Sequence, residues 1–137
     1  MAAEFCTALF ARQRVESAAL ICLDTKKQVI ATETLSEGTI NETPLYIRSI
    51  VECALRHKSH TVLLAHNHPT GDTTPSPADI AMTSRARAAL AVLEIDLIDH
   101  IIVAGKRYSS LARLNLMDGG SLPPILQVSR NAAEEEH

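Results

Sequence analysis

The chain has 137 residues, of which 46% are hydrophobic and 21% are charged, and its formal net charge is −3. This length predicts a single domain that can bury its own core, and the composition excludes a disordered, collagen-like or coiled-coil protein. No apolar run approaches the ~20 residues that span a bilayer, so no membrane-spanning helix and no membrane partner are expected. The acidic balance and an aromatic content of 3% argue against nucleic acid as the main ligand, because such surfaces carry basic or stacking residues.

The first half of the chain predicts two helices and two strands. Apolar residues at helical spacing indicate a short amphipathic helix, and a continuous apolar stretch then suits a central strand. A polar turn leads to an alternating segment that is typical of a half-exposed strand, and a loop precedes a helix with proline in its first turn. The predicted elements are a helix over 2–14, strands over 18–23 and 29–35, a loop over 38–42, and a helix from Pro44 with Thr43 as its N-cap.

The second half predicts three strands, a long helix and a short helix. These elements are a strand over 60–65, a helix from Pro77 to about Leu93, strands over 95–103 and 107–109, and a short helix over 111–116. Because strands and helices alternate, we expect an α/β fold in which a mixed sheet is flanked by helices. The domain is predicted to occupy residues 1–117, and the composition after it indicates a poorly ordered tail over 118–137.

The cysteines are odd in number and far apart, at Cys6, Cys22 and Cys53. No CxxC pair is present, so the sequence offers neither a zinc ribbon nor a thioredoxin-type redox motif. The N-terminus lacks a basic segment followed by an apolar one, so no secretory signal is recognised. We therefore expect a reducing, cytoplasmic location.

The segment over 66–79 contains the residues that point to chemistry. His66 and His68 stand at the end of a predicted strand, where side chains at i and i+2 point the same way. Asp79 falls in the first turn of the next helix, and the loop between them is long enough to fold that turn over the strand end. A catalytic zinc ion takes three protein ligands and keeps a fourth position for water. The pattern predicts a zinc site on His66, His68 and Asp79.

Such a site also needs a proton acceptor, which should be a carboxylate that is not a ligand. Five glutamates are candidates on spacing alone: Glu16, Glu33, Glu37, Glu42 and Glu52. Glu16 is favoured because it stands just before strand 18–23, which is expected to be central and beside strand 60–65. Ser76 has a hydroxyl suited to stabilise an oxyanion. Ser76 and Asp79 also fit a helix capping box, which competes with zinc for the Asp79 carboxylate.

These residues resemble the signature of a known family. Glu16, then His66-x-His68, then seven residues, then Ser76-x-x-Asp79 is similar to the complete JAMM (JAB1/MPN/Mov34) metalloprotease motif. The flanking string AHNHPTGDTTPSPADIAMT and the later stretch IDHII over 98–102 resemble the RadC-type bacterial branch of that superfamily. The similarity covers about residues 10–115.

The resemblance implies a JAB/MPN fold, similar to that of cytidine deaminases. It also implies one Zn²⁺ per chain on His66, His68 and Asp79, with Glu16 as general acid/base and Ser76 as oxyanion donor. Members with this set hydrolyse amide or isopeptide bonds, so a peptide or protein substrate is expected. The chain departs from the branch in two ways. It starts too late to hold the usual N-terminal helix-hairpin-helix region. At the start of the second predicted helix it has Tyr46, Ile47 and Arg48, where the branch often has Pro-Arg-Glu.

Other functions compete with this hypothesis. A non-catalytic MPN interaction scaffold typically loses the ligands, whereas this chain keeps them all. A DNA repair-associated accessory role rests only on the old label of the RadC branch. Deamination is disfavoured, because it needs an H-x-E motif and a distant PCxxC motif. Here His66 is followed two residues later by His68 instead of glutamate, and the sequence has no CxxC. We expect His100 and Asp99 to form a buried structural pair, and a homodimer through exposed segments is compatible with the sequence.

Overall fold

A mixed sheet of five strands runs through the chain. The computed structural model describes residues 2–12, 15–37 and 43–119. The elements are α1 (Ala2–Leu9), β1 (Ser17–Leu23), β2 (Val29–Glu37), α2 (Thr43–Arg56), β3 (Thr61–Asn67), α3 (Pro77–Val92), β4 (Asp96–Ala104) and β5 (Arg107–Ser110). The strand order is β2-β1-β3-β4-β5. Only β3 and β4 are parallel, and the other neighbours are antiparallel. This confirms the predicted α/β class with a mixed sheet flanked by helices.

The helices cover both faces of the sheet, because alternate residues of its central strands point to opposite sides. Every residue of β1 and β3 is buried. Leu20 of β1 belongs to the core shared with α2 and α3, whereas the next residue, Ile21, belongs to the core shared with α1 through Cys6. Full burial of one such aliphatic side chain contributes about 2 kcal/mol. The apolar run therefore marks a central strand.

The parallel pairing of β3 and β4 determines where α3 begins. The chain must return along the sheet between two parallel strands, and α3 makes that return. The N-terminus of α3 consequently lies at the edge of the sheet where β3 ends. Ser76 caps this helix and Pro77 opens it, as predicted, since proline has no N–H to satisfy in a first turn.

Several element ends differ from the predictions. The first helix ends at Leu9, with turns over 10–12. β3 continues to Asn67 because His66 still pairs with strands on both sides. The second helix begins at Thr43 itself. The predicted loop over 38–42 and the predicted tail after Gly119 lie outside the described residues. No helix in the described part of the chain is long and apolar enough to cross a membrane.

The short helix predicted over 111–116 is wrong, because this segment forms turns. Asp99 Oδ1 accepts the backbone N–H of Ala112 at 3.0 Å, and Ser110 Oγ accepts that of Arg113 at 3.2 Å. Asn115 has a left-handed φ of 58°, which a continuing α-helix does not allow. The left-handed residue therefore ends the helical path, while the two side-chain acceptors bind N–H groups that the first turn of a helix would leave unpaired.

Candidate functional site

His66 lies at the carboxyl end of β3 and is 1% exposed. Its backbone is paired with Ala18 of β1 and with Ile102 of β4. Side chains alternate along an extended chain, so Glu16, two residues before Ala18, shares the face of His66. His100, two residues before Ile102, shares that face for the same reason. The strand ladder therefore brings three polar side chains to one end of the face that α2 and α3 cover.

The loop between β3 and α3 is fastened to the edge of the sheet. The backbone N–H of His68 donates to the carbonyl oxygen of Val103 at 2.8 Å. The Arg107 guanidinium donates to the carbonyl oxygen of Gly71 at 2.5 Å. Gly71 has a φ of 91°, which glycine adopts without steric cost. These contacts hold the chain on the path that returns it to the start of α3.

Asp79 is anchored in the first turn of α3 by a complete capping box. The Ser76 N–H donates to Asp79 Oδ2 at 2.9 Å, and the Asp79 N–H donates to Ser76 Oγ at 3.0 Å. The same Oδ2 lies 3.3 Å from His68 Nε2, and Oδ1 lies 3.8 Å from His66 Nδ1. A carboxylate offers several lone pairs. Asp79 therefore caps the helix and faces both imidazoles at the same time.

His66, His68 and Asp79 form a candidate metal site, since one ligand atom of each lies within 4.8 Å of the others. His68 Nδ1 is 2.8 Å from the carbonyl oxygen of Asp72. A carbonyl can only accept, so this nitrogen carries a proton, and Nε2 has a free lone pair whenever the ring is neutral. Two imidazoles and one carboxylate are donors that catalytic zinc sites use. The residues present thus fit such a metal.

The electrostatics of the site keep Asp79 ionised. Burial raises the pKa of this carboxyl, but the hydrogen bond from His68 and the charge of His66 lower it by more, so the pKa lies well below its ordinary value. Burial lowers the pKa of His68, but its contact with Asp79 outweighs burial, and the pKa lies above its ordinary value. Burial also lowers the pKa of His66, and Asp79 only partly offsets this. An anion beside two imidazoles is a favourable environment for a cation.

Glu16 is the sequence-derived carboxylate that the structure places beside this cluster. Its Oε1 lies 3.1 Å from His66 Nε2, and its side chain is 37% exposed. The other described candidates lie elsewhere, Glu33 on β2 and Glu52 on the exposed surface of α2. The side chains of Glu37 and Glu42 are outside the described residues. Glu16 is therefore both close to the site and open to solvent.

Asn67, which stands between the two histidines, fastens the backbone around Glu16. It is 4% exposed. Its Oδ1 accepts the backbone N–H of Ser17 at 2.6 Å, and its Nδ2 donates to the carbonyl oxygen of Val15 at 2.9 Å. The residues on both sides of Glu16 are thereby held. Sequence reasoning missed Asn67 because only the pairing of β1 with β3 brings it to these distant partners.

Replacing Asn67 by leucine is expected to lower the free energy of unfolding by about 1–3 kcal/mol, since the buried N–H of Ser17 loses its acceptor. Chemical denaturation measures this difference. Asn67→Asp keeps an oxygen acceptor but loses the donor to Val15, so its stability should fall between those of the wild type and the leucine variant. Equal stability of the three proteins would show that the clamp does not hold this segment.

Two further buried residues, His100 and Thr83, reach the site, and both are 0% exposed. His100 Nε2 lies 3.4 Å from His66 Nδ1, and His100 Nδ1 lies 2.6 Å from Thr83 Oγ1. Burial and the neighbouring His66 lower the pKa of His100 to about 3. Its ring is therefore neutral at physiological pH. Sequence reasoning did not place either residue at the site.

The expected pair of His100 and Asp99 forms through the backbone N–H of His100, whereas the His100 ring contacts His66 and Thr83. Neighbouring residues on a strand point to opposite faces. Asp99 accepts the backbone N–H of His100 at 2.7 Å and the Ser110 hydroxyl at 2.6 Å, so it organises the turn after β5. The resemblance of the stretch over 98–102 to the RadC branch was the one sequence signal for this region, and it did not identify the partner of His100.

A second group of potential ligands, Glu33, Cys53 and His57, also has one ligand atom of each within 4.8 Å of the others. The Glu33 carboxylate is paired with Arg56 and lies 2.8 Å from His57 Nε2. The hydrogen bonds from Arg56 and His57 lower the pKa of Glu33 to about 2, and burial raises the pKa of the Cys53 thiol to about 12. A guanidinium already neutralises the carboxylate, so we interpret this group as an ion-pair cluster.

Known proteins share most of this chain. A family model described as "RadC-like JAB domain" matches residues 1–116. A UPF0758 protein of Bordetella bronchiseptica is 42% identical over 108 residues, which cover 79% of this chain and 48% of that protein. UPF0758 protein YkfG of Escherichia coli is 44% identical over 98 residues, which cover 72% of this chain and 62% of that protein. A UPF0758 protein of Desulforamulus reducens is 40% identical over 97 residues, which cover 71% of this chain and 43% of that protein. The chain spans about half the length of most of these curated relatives.

Proposed function

Because the chain belongs to the RadC-like JAB domain family, a branch of the JAMM/MPN superfamily, we propose that it is a zinc-dependent hydrolase that cleaves an amide or isopeptide bond. The observation that carries this proposal is the convergence of His66, His68 and Asp79 within 4.8 Å, with the Glu16 carboxylate 3.1 Å from His66. Three ligands and a separate carboxylate are the parts that metal-assisted hydrolysis requires.

His66, His68 and Asp79 would hold the metal, one ion per chain. Imidazole and carboxylate donors suit zinc. When bound, zinc supplies a Lewis acid that polarises a carbonyl and lowers the pKa of a water molecule. The ligands come from rigid elements, the end of β3 and the capped first turn of α3. Such support limits the ligand reorganisation needed for binding.

Glu16 would act as the general acid/base. Its carboxylate is ready to accept a proton at Oε1 from the attacking water and to give that proton to the leaving nitrogen. Partial exposure leaves this side chain accessible to a substrate, while the Asn67 clamp on both sides of it restricts its backbone. The substrate is proposed to be a peptide or a protein with an amide or isopeptide bond.

Ser76 would donate a hydrogen bond to the substrate oxygen as it gains negative charge. Its Oγ accepts the N–H of Asp79 at 3.0 Å, so the hydroxyl hydrogen is not used by the cap. Capping also fixes the position of Oγ at the helix start, next to the metal ligand. A preorganised donor of this kind contributes about 3 kcal/mol to stabilisation of the transition state.

The proposal is tested by metal analysis of the purified protein together with hydrolysis assays on a linear peptide and on a lysine-linked isopeptide. We expect one zinc per chain and hydrolysis that a chelator stops and added zinc restores. His68→Ala should lose both metal and hydrolysis. The matched control is His60→Ala, an exposed histidine at the opposite end of β3, which should keep both. A well-folded protein that binds no metal would contradict the proposal and favour the non-catalytic scaffold.

A further inference from the structure

A cavity of about 320 Å³ lies beside the candidate metal site, at the end of the sheet where β3 and β4 end. Its walls come from the turn after α1, the loop after β3 and the turn between β4 and β5, which contribute Phe10, Pro69 and Gly105. The volume falls in the range of natural ligand sites, which begins at about 300 Å³. The proposed chemistry does not use this cavity.

His68 connects the cavity to the candidate metal site. Its ring lines the cavity, while its Nε2 lies 3.3 Å from Asp79 Oδ2. The ring centroids of His66 and His68 are 4.5 Å apart. An extended peptide advances about 3.3 Å per residue. A peptide that crosses the candidate site would therefore reach the cavity within about two residues.

The lining of the cavity combines apolar side chains with polar groups that already have partners. Phe10 and Val103 are apolar, and they are 8% and 1% exposed. The amide of Asn67 uses its oxygen and its nitrogen on backbone groups. His68 Nδ1 lies 2.8 Å from a backbone carbonyl oxygen. Selectivity for a charged ligand must therefore come from residues around the cavity.

Three exposed cations, which we call the rim, stand next to lining residues in the described part of the chain. Arg12 follows Ala11 of the lining, and Lys106 and Arg107 follow Gly105. The Arg107 guanidinium donates to a backbone carbonyl oxygen, which leaves its charge unneutralised. The ion pairs of the described residues include neither Arg12 nor Lys106. The rim charges are thus available to a ligand.

The surroundings of the cavity are more positive than the rest of the protein. The whole chain has a net charge of −3, whereas the wall segments 10–12, 67–75 and 104–107 contain the three cations of the rim and one carboxylate, Asp72. Asp72 Oδ1 accepts the backbone N–H of Thr74 at 2.9 Å. A local excess of one sign raises the concentration of ligands of the opposite sign. The charge at this cavity is therefore complementary to an anionic ligand.

We propose that the cavity is a subsite for the substrate peptide and that it favours an acidic residue beside the bond that is cleaved. The apolar part of this residue packs against Phe10 and Val103, and its carboxylate lies at the rim. This inference rests on the proposed function, because it takes the neighbouring site to hold a peptide. Charge complementarity of this kind gives specificity more than raw affinity.

The first test is peptide binding to the purified full chain, measured by fluorescence anisotropy at low salt with a chelator present, so that no metal-dependent hydrolysis occurs. Three peptides of equal length differ only in carrying glutamate, glutamine or lysine around a central alanine pair. We expect the glutamate peptide to bind about 10-fold more tightly than the glutamine peptide, and this preference to disappear at high salt. Equal binding of the three peptides would overturn the proposal.

This readout separates the subsite from the proposed function. A chain that prefers the glutamate peptide but neither binds zinc nor hydrolyses amides supports the subsite and contradicts the hydrolase. A chain that hydrolyses peptides without any charge preference supports the hydrolase and overturns the subsite.

The second test reverses the charge of the rim. The double variant Arg12→Glu, Lys106→Glu should lose the preference for the glutamate peptide and bind the lysine peptide best. The matched control is Lys26→Glu, Lys27→Glu, which changes the net charge equally in the turn between β1 and β2, at the opposite end of the sheet. If the control loses the preference to the same extent, net charge alone causes it, and the rim is not a subsite.

The third test fills the cavity. Ala11 lines the cavity and is exposed, so Ala11→Trp should keep the fold and weaken binding of the glutamate peptide. Ala8→Trp changes an exposed residue of α1 that does not line the cavity, and it should bind like the wild type. Undiminished binding by Ala11→Trp would overturn the proposal. So would a single-stranded oligonucleotide that displaces the glutamate peptide and binds more tightly, because the rim would then serve a phosphate backbone.

Discussion

Replacing Glu16 by glutamine is expected to lower kcat for amide hydrolysis by about 10²- to 10⁴-fold, while zinc occupancy stays at the wild-type level. Glutamine has nearly the size of glutamate but cannot accept a proton at Oε1. The proposed metal ligands are His66, His68 and Asp79, so the substitution leaves them intact. Hydrolysis rates at saturating substrate and metal content of the same preparation measure the two quantities.

The control for this substitution is Glu52→Gln, which changes an exposed carboxylate on α2 and should alter neither quantity. Two outcomes would contradict the role of Glu16. Full hydrolysis in Glu16→Gln would remove it from the reaction. Loss of zinc together with loss of hydrolysis would show that Glu16 binds the metal. Its Oε1 lies 3.1 Å from His66 Nε2.

Acidification is expected to destabilise the metal-free protein through His100. The pKa of this ring is about 3 in the folded protein and about 6.5 in an unfolded chain. The native state therefore binds fewer protons than the unfolded state between these values, and stability falls as pH falls. His100 does not change the free energy of unfolding above about pH 6.5, and it lowers this free energy progressively between about pH 6.5 and pH 3. At pH 4.5 the loss amounts to about 3 kcal/mol.

Chemical denaturation of metal-stripped protein at pH 7 and pH 4.5 measures this loss. His100→Gln cannot be protonated, so its stability should change less between the two pH values, by about the same 3 kcal/mol. His100→Asn serves the same purpose with a shorter side chain. An identical pH dependence in the wild type and in both variants would show that His100 does not titrate with unfolding.

The three candidate ligands could be predicted because they lie in one continuous segment. His66 and His68 end a strand, and Asp79 opens the next helix, so short-range geometry alone brings them near one another. Ser76 and Pro77 mark the helix start in the sequence, although the capping box was expected to compete with zinc for the Asp79 carboxylate. The five-stranded mixed sheet was likewise indicated by alternating strands and helices.

Local signals were misleading over 111–116, where the pattern is helical. The N–H of Leu114 donates to the carbonyl oxygen of Ser110 at 3.1 Å, as in a first helical turn, but Asn115 has a left-handed φ of 58° and the chain turns. The contact of Asp99 with the N–H of Ala112 joins residues that are 13 apart, and it has no signature within a short window of sequence.

The sequence alone determined the class of fold and the three candidate ligands, since both depend on periodicity and spacing within about 20 residues. The sequence favoured Glu16 by its place before a central strand, but only the tertiary structure decided its distance to His66 and which other side chains contact the candidate ligands. Glu16, Asn67, Thr83 and His100 meet their partners through strand register and helix packing across gaps of 17 to 50 residues. Residues this far apart in sequence come into contact only when the core folds, so no local sequence pattern predicts their contacts.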